Sequence, residues 1–541
     1  MKIVIAEKVS PAAEALLKEE SRWEVVTADQ INAQINAQLD GTLAAHLENA
    51  DALIVRSAVQ VTAALLEHAR KLRVIGRAGV GVDNIDLEAA TKKGIAVMNT
   101  PGANAVAVAE HTFALMLALA RHLCRADALT RAGRWEKKSL QGTELRAKTL
   151  GIAGLGRVGM EVARRARAFG MEVIAHDPFV STTVARELGI KLAGLDEVYA
   201  AADYLTLHVG LTPQTSGMIN AASLAKMKKG VRLINCARGE LVEEAALAEA
   251  LRSGHVAGAA VDVFPEEPPK SSPLLALENV NIIATPHIAG STREAQEAVG
   301  YQIALQVKEY LKRGVIQNAV NVPSVSHDEY AQMQPYIVLA ERLGSFLAQA
   351  SEGSPEEISL RFTGAMAEWK TDLIRNAAIK GILNQTLSEK ANLVNAASLA
   401  AERGLRLHEA KRAKVPGGGA GNVLSVMIKT SAEERLVKGT VLHGNSPRLL
   451  AVDDIDIEAP LERNLIYLRN KDVPGVIGKV GTILGTHSIN IASFSLGRTE
   501  RAGKTPPQAI ALVQVDGRIP PLVLEELRQI EAVTVAKAIR L

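Results

Sequence analysis

The chain has 541 residues, 48% of them apolar and only 3% aromatic, with a formal net charge of +3. That length exceeds one hydrophobic core and implies about three to five domains, and the apolar content excludes a disordered chain. The near-balance of charge argues against a general nucleic-acid or membrane-surface role and leaves room only for a local basic site.

The N-terminal "MKIVIAEKVS" goes straight into a short apolar strand. It has no long apolar segment or small-residue cleavage site, so no secretory signal is expected. From there to about residue 320, apolar runs alternate with helical patterns. "KIVIAE", "ALIVRS", "LRVIGRAG", "IAVMNT", "TLGIAGLG", "MEVIAHD", "DYLTLHV", "VRLINCA", "VAGAAVDVF" and "VNIIATPH" read as strands. The alternation predicts two doubly wound parallel-sheet α/β domains, split near residue 98. Between them "AVAVAEHTFALMLALA" (105–120) is interrupted by Glu110 and His111 and is short for a bilayer span. It reads as a buried helix, with Thr100 as N-cap and Pro101 in the first turn. Cys124 and Cys236 have no C-x-x-C neighbour and read as free thiols of a reducing cytoplasm.

The most specific motif is "TLGIAGLGRVGMEVARRARAFGMEVIAHDP" (149–178). Gly154, Gly156 and Gly159 form G-x-G-x-x-G between a strand and a helix. Gly154 permits the turn, Gly156 admits a pyrophosphate against the helix N-terminus, and Gly159 lets helix pack on strand. Asp177, at the end of the next strand, would accept the adenine-ribose hydroxyls and repel a 2′-phosphate. NAD is therefore expected over NADP.

"LINCARGELV" (233–242) ends a buried strand on Arg238. Ligands of an open parallel sheet bind beyond the carboxyl ends of its strands, which is where Arg238 would lie. "AVDVFPEEPP" delivers Asp262, Glu266 and Glu267 to the same edge, and "NIIATPHIAGST" delivers His287. Taken singly, Arg238 reads equally as a surface charge, Glu267 as a solvated turn residue and His287 as a helix cap. Together they can remove hydride and proton from an alcohol. His287 is the base, a carboxylate orients it, and a guanidinium grips a substrate carboxylate.

After residue 320 the texture changes. "SVSHDEYAQMQPYIVLAERLGSFLAQASEGSPEEISLRF" reads as linker, helix and strand, and "VPGGGAGNVLS" (415–425) as a flexible loop. The last 80 or so residues give strands at "NLIYLRN", "INIASFSLGR", "AIALVQVDG" and "VTVAKAIRL", with helices at "VIGKVGTILGTH" and "PPLVLEELRQI" and a loop at "ERAGKTPPQ". The order βαββαβ is ferredoxin-like.

"GIAGLGRVG…HDP", "NCARGE", "VDVFPEEPP" and "TPHIAGST" resemble the D-2-hydroxyacid dehydrogenase family across residues 1 to about 320. "IVRSAVQVT", "GRAGVGVDNID" and "GRWEKKSLQGTEL" resemble its D-3-phosphoglycerate dehydrogenase branch in the long form, which carries an α+β intervening domain and a C-terminal ACT regulatory domain. The wording of 98–106, Gly210 and Val80 depart from the branch's commoner pattern. The resemblance implies catalytic Arg238, Glu267 and His287. It implies cofactor contacts from Arg157, Val158, Cys236, Ala237, Asp262 and Gly290, besides the glycines and Asp177.

The substrate it implies, 3-phosphoglycerate, needs clustered cations. Arg56 with Ser57, and Arg77, lie at strand ends, while Arg134, Lys137 and Lys138 lie on a loop that in the family reaches a neighbouring subunit. The expected domains are a substrate domain (1–98 and 288–317), the inserted cofactor domain (99–287), the intervening domain (318–458) and the ACT domain (459–541). Further expectations are a cytoplasmic homo-oligomer, dimer or tetramer, without metal, and L-serine bound at Asp472 and Asn490 of the tail. The competing readings are a hydroxypyruvate, glyoxylate or 2-oxoglutarate reductase, and an NAD-sensing corepressor on the same fold.

Overall fold

The computed structural model describes all residues except 32–41, 324, 326, 387–389, 415–420 and 500–506. The glycine-rich 415–420, most of the "ERAGKTPPQ" loop and two positions of the "SVSHDEYA" linker therefore lie outside the described residues.

Four sheets follow one another. The first has five parallel strands, in the order Glu24–Val26, Lys2–Ile5, Ala52–Val55, Val74–Arg77 and Ala96–Met98. The second has seven, all parallel, in the order Ile282–Ala284, Val256–Val261, Val231–Asn235, Tyr204–Leu207, Thr149–Ala153, Glu172–His176 and Lys191–Leu192. Every strand read from the apolar runs is present. Glu24–Val26 and Lys191–Leu192 were not foreseen, being too short to show a period. Helix Arg293–Arg313 packs back on the first sheet, where Gly76 lies so close that a Cβ there would sit 2.8 Å from Ile303.

Helix Ala105–Arg121 buries Ala109, Thr112, Met116 and Leu119. It does not start at Thr100. Its N-cap is Asn104, and Thr100 is fully buried with its N–H and hydroxyl both donated to the Gly79 carbonyl. Tied to that loop, Thr100 stands before a turn at 101–104, and the helix begins only after it. No single helix among the described residues is long and apolar enough to cross a membrane.

The third sheet is mixed. Pro355–Thr363 pairs parallel with Arg406–Arg412 and antiparallel with Val423–Thr430, and the meander continues to Ile455–Pro460. The fourth is antiparallel, in the order Ile491–Arg498, Gln508–Val515, Asn464–Lys471 and Val533–Arg540, the ferredoxin-like order expected of a βαββαβ chain. One apolar core joins these units. It runs from Ile3 of the first sheet and Ile303 of the helix packed on it, through Leu343 and Phe346 of helix His327–Ala350, to Tyr467 and Leu512 of the fourth. Phe346 meets Tyr467 edge-on at 5.6 Å. The seven-stranded sheet keeps its own two cores, one on each face.

Candidate active site

The glycine motif is built as its spacing requires. Gly154 has φ +93°, and a Cβ there would strike the His208 carbonyl at 2.5 Å. A Cβ on Gly159 would lie 2.1 Å from the Gly154 oxygen, so this glycine brings helix Arg157–Ala168 onto the strand. Gly156 differs: a Cβ there would meet nothing within 4 Å, and its φ of −72° is ordinary. Among the described residues, no protein group requires that glycine. The open space at a helix N-terminus, at the switch point of the sheet order, fits a dinucleotide's pyrophosphate.

Asp177 is half-buried and accepts the N–H groups of Leu155 and Phe179, each at 2.8 Å, which ties it to the glycine loop. Arg157 reaches the Pro101 carbonyl and Val158 is half-buried beside it. Cys236 is buried, and burial, with the Asp262 charge adding to it, pushes its thiol up to about 12, so it is a neutral wall residue.

His287 holds φ +52°, an uncommon conformation for a side chain other than glycine. Its N–H donates to the Asp262 carbonyl at 2.8 Å and the Thr285 carbonyl at 3.1 Å. Its Nδ1 lies 2.7 Å from Glu267 Oε2. An ionised carboxylate only accepts, so Nδ1 carries the proton and Nε2 is left as an acceptor. Burial opposes the charge on Glu267. The bonds from His287 and the Phe264 N–H, with the Arg238 charge nearby, outweigh it and hold the carboxyl below its usual range.

Asp262 is placed differently from the expectation. It is fully buried, with its carboxylate taken up by Thr285, the N–H groups of Ile288 (2.9 Å) and Ala289 (2.8 Å), and His111 at 3.5 Å. With no surface to offer, it does not face the cofactor crevice here; it braces the loop that holds His287. Burial would raise its pKa, but His111, Thr285 and the two N–H groups lower it on balance. Gly290 stands against Asn104, where a Cβ would meet the amide at 2.9 Å. Ala237 is half-buried beside Arg238, which follows the end of strand Val231–Asn235. His111, which with Glu110 interrupts the apolar run of its helix, was the sequence signal for this brace.

Arg238 gives Nε at 3.0 Å and Nη2 at 2.9 Å to one oxygen of Asp83. Asp83 was not foreseen. Its signal was the glycine pair in "GVGVDN", since a Cβ on Gly81 would sit 1.8 Å from the Arg238 guanidinium. Arg77 stands close by. Burial, then the charge of Arg238, push its pKa down to about 10; Glu7 and Asp83 pull the other way and Arg56 adds to the fall. Its buried Nε has no hydrogen-bond partner among the described residues. Arg56 follows strand Ala52–Val55, with its N–H and those of Ala58 and Val59 all held by Glu7. Ser57, next to it, is exposed. Arg56, Arg77 and Arg238 thus share one electrostatic neighbourhood. Arg134 pairs with Glu136 on an exposed loop, and Lys137 opens the short helix after it. No described hydrogen bond or ion pair joins that loop to the three arginines.

In the tail, Asp472 is paired with Arg498 at 2.6 Å and Asn490 donates to Asp516 at 2.8 Å. Both partners are already engaged, and the two residues flank opposite ends of strand Ile491–Arg498. Eight extended residues separate them by roughly 25 Å, so within one chain a single amino acid cannot bridge Asp472 and Asn490.

Residues 113–289 match the D-isomer-specific 2-hydroxyacid dehydrogenase NAD-binding domain, 332–453 the D-3-phosphoglycerate dehydrogenase intervening domain, and 465–532 the ACT domain. D-3-phosphoglycerate dehydrogenase of Methanocaldococcus jannaschii is 42% identical over 90% of this chain and 91% of its own. This chain belongs to the D-3-phosphoglycerate dehydrogenase family. The Bacillus subtilis enzyme is 39% identical over 92% of this chain and 93% of its own. Among solved structures, the Thermus thermophilus protein TT0316 (36% identity, TM-score 0.53) covers 59% of this chain and all of its own. The Aquifex aeolicus D-lactate dehydrogenase complexed with NAD and lactic acid (31% identity, TM-score 0.51) covers 60% and all of its own. These two structural likenesses span a length comparable to that of the two parallel-sheet units. The intervening and ACT matches set the phosphoglycerate branch apart.

Proposed function

We propose that the chain oxidises D-3-phosphoglycerate to 3-phosphohydroxypyruvate with NAD, the first committed step of L-serine biosynthesis. The observation that carries it is the paired Glu267–His287 beside the Arg238, Arg77 and Arg56 cluster. Arg238 takes the substrate carboxylate in its fork and draws charge from the adjacent carbon. His287 Nε2 takes the hydroxyl proton, and Glu267 at Nδ1 fixes the ring and supports its cationic form. NAD, when bound, supplies the acceptor for the departing hydride. Arg56 and Arg77, with Arg134 and Lys137 contributed by a neighbouring subunit, receive the phosphate.

The same reading makes the chain a cytoplasmic homo-oligomer, dimer or tetramer. The ACT unit is consistent with a small-molecule effector, and L-serine is the ligand we propose. Because Asp472 and Asn490 lie far apart in one chain, its site takes Asp472 from one subunit and Asn490 from another.

The test is NAD reduction with D-3-phosphoglycerate, D-glycerate and D-2-hydroxyglutarate side by side. A clear preference for the phosphorylated acid supports the reading. Equal or greater turnover of an unphosphorylated acid would assign the chain to the reductases instead, and no turnover of any acid would point to a sensor.

A further inference from the structure

Strand Val231–Asn235 ends on a buried carboxamide, with Asn235 only 1% exposed. Asparagine is a poor strand former, and an amide taken out of water is costly unless its polar atoms are answered. Both ends of this one are answered by the two residues that lead to the substrate anchor. Its Oδ1 accepts the Ala237 N–H at 3.0 Å, and its Nδ2 donates to the Arg238 carbonyl at 2.8 Å. The first bond is the turn that asparagine makes with the backbone two residues on. The second needs a donor on a separate atom, which an amide supplies and neither a carboxylate nor a hydroxyl does.

The loop so closed sets the guanidinium. Arg238 turns Nη1 back to the Ala237 carbonyl at 2.7 Å, which leaves Nε and Nη2 as its outward edge, the one that meets Asp83. Ala237 is thus held at both polar groups, its N–H by Asn235 and its carbonyl by Arg238. The backbone of Asn235 carries the connection on to the base. Its carbonyl accepts the Asp262 N–H at 2.9 Å, and the Asp262 carbonyl accepts the His287 N–H at 2.8 Å. On the far side of Arg238, a Cβ on Gly239 would stand 2.0 Å from the Phe264 carbonyl carbon, and the Phe264 N–H is bonded to Glu267. Arg238, Glu267 and His287 come from the ends of three strands, and the bonds of Asn235 link the first of these ends to the other two.

We infer that Asn235 is a positioning residue for the hydride transfer. It fixes the spacing and aim of Arg238 relative to the Glu267–His287 pair, and it acts through Arg238 without touching the reacting atoms. The inference rests on the reading of Arg238 as substrate anchor and His287 as base. In a 2-hydroxy acid, the carboxylate gripped by the fork and the hydroxyl offered to His287 belong to adjacent carbons. A loop that let Arg238 swing would therefore lose one contact in making the other, and small misplacements of this kind are costly in rate.

The experiment is a double-mutant cycle on the full chain. Asn235→Asp keeps the acceptor for Ala237 and sets a second acceptor against the Arg238 carbonyl. Asn235→Ser keeps a shorter acceptor and adds no charge, so an effect common to both is not electrostatic. Each is made alone and with Arg238→Lys, whose fork is already gone. D-3-phosphoglycerate oxidation gives kcat and KM, with the lysine backgrounds read in single turnover at high enzyme concentration. Fluorescence titration gives the Kd for NAD, and thermal melting checks folding; where Asn235→Asp does not fold, Asn235→Ser decides. Each single variant should lose about ten- to a hundredfold in kcat/KM, with the Kd for NAD within about threefold of the wild type's. Added to Arg238→Lys, the same substitution should cost less than about threefold more, because no aimed fork remains to be turned. The same factor in both backgrounds would make Asn235 a structural residue only. A matching loss of NAD affinity would place its effect at the cofactor wall, and single variants within about threefold of wild-type kcat/KM would remove it from the reaction; in these three cases the inference fails and the function stands. If the wild type does not oxidise the acid, the function falls and the inference with it.

Discussion

Arg238 and Asp83 stand 155 residues apart in the chain, yet one oxygen of Asp83 lies 2.9 Å from Nη2 and 3.0 Å from Nε of Arg238. The pair crosses from the cofactor sheet to the loop after the first sheet's fourth strand in order. It occupies the fork that a substrate carboxylate would use, so Asp83 is a resident competitor. Asp83 is 62% exposed, and such a pair is worth at most about 1 kcal/mol. Asp83→Asn should therefore lower KM for the hydroxy acid by no more than about fivefold, with kcat nearly unchanged. A raised KM in steady-state kinetics would show that Asp83 aims the guanidinium instead.

Arg238→Lys keeps the charge and loses the planar fork. Its kcat/KM should fall by about two orders of magnitude or more, while NAD affinity, read by fluorescence titration, stays within a few-fold. Near-normal turnover would remove Arg238 as the substrate anchor.

Asp262 gives the pH dependence its sign. Its folded pKa lies below the ordinary 3.8, so the carboxylate contributes stability that is present above 3.8 and is lost as pH falls through the folded value. Asp262→Asn cannot accept from four donors at once, and the His287 backbone at φ +52° loses its brace. The variant should lose about ten- to a hundredfold in kcat, since small misplacements of a catalytic group are costly. Its stability should also fall less steeply than the wild type's at pH below 3.8, as followed by denaturant unfolding across pH.

Gly156 and Gly159 should separate binding from folding. Gly156→Ala adds a methyl into open space, so the melting temperature should hold while the Kd for NAD rises about tenfold or more, because that space is where the pyrophosphate goes. Gly159→Ala drives a methyl to 2.1 Å from a backbone oxygen and should lower the melting temperature by several degrees. Equal effects of the two on NAD affinity and melting would contradict the division of roles.

Calorimetry with L-serine on the intact protein should show binding at millimolar or lower concentration, abolished by either Asp472→Ala or Asn490→Ala. Mixing the two single variants should restore part of it, because a mixed pair of subunits rebuilds one complete site. No heat from the wild type, with activity unaffected, would leave the tail with an assembly role only.

What is local was legible in the chain. The turn at Gly154 and the close packing at Gly159 lie within one βαβ unit, where a few residues fix the backbone. Strand periodicity likewise placed Arg238, Glu267 and His287 at one edge, since a parallel sheet must put the carboxyl ends of its strands together. The helix starts at Ala105 and not after Thr100, which is tied to the Gly79 carbonyl, a partner that no local pattern reveals. Long-range packing brought Asp83 to Arg238, buried Asp262 behind the His287 loop, and set Asp472 and Asn490 at opposite ends of a strand. It also joined the first sheet, helix His327–Ala350 and the tail into one core and left the seven-stranded sheet with its own. Each of these depends on which surfaces of distant segments bury one another, and apolar burial, being without direction, leaves no local signature of its partner.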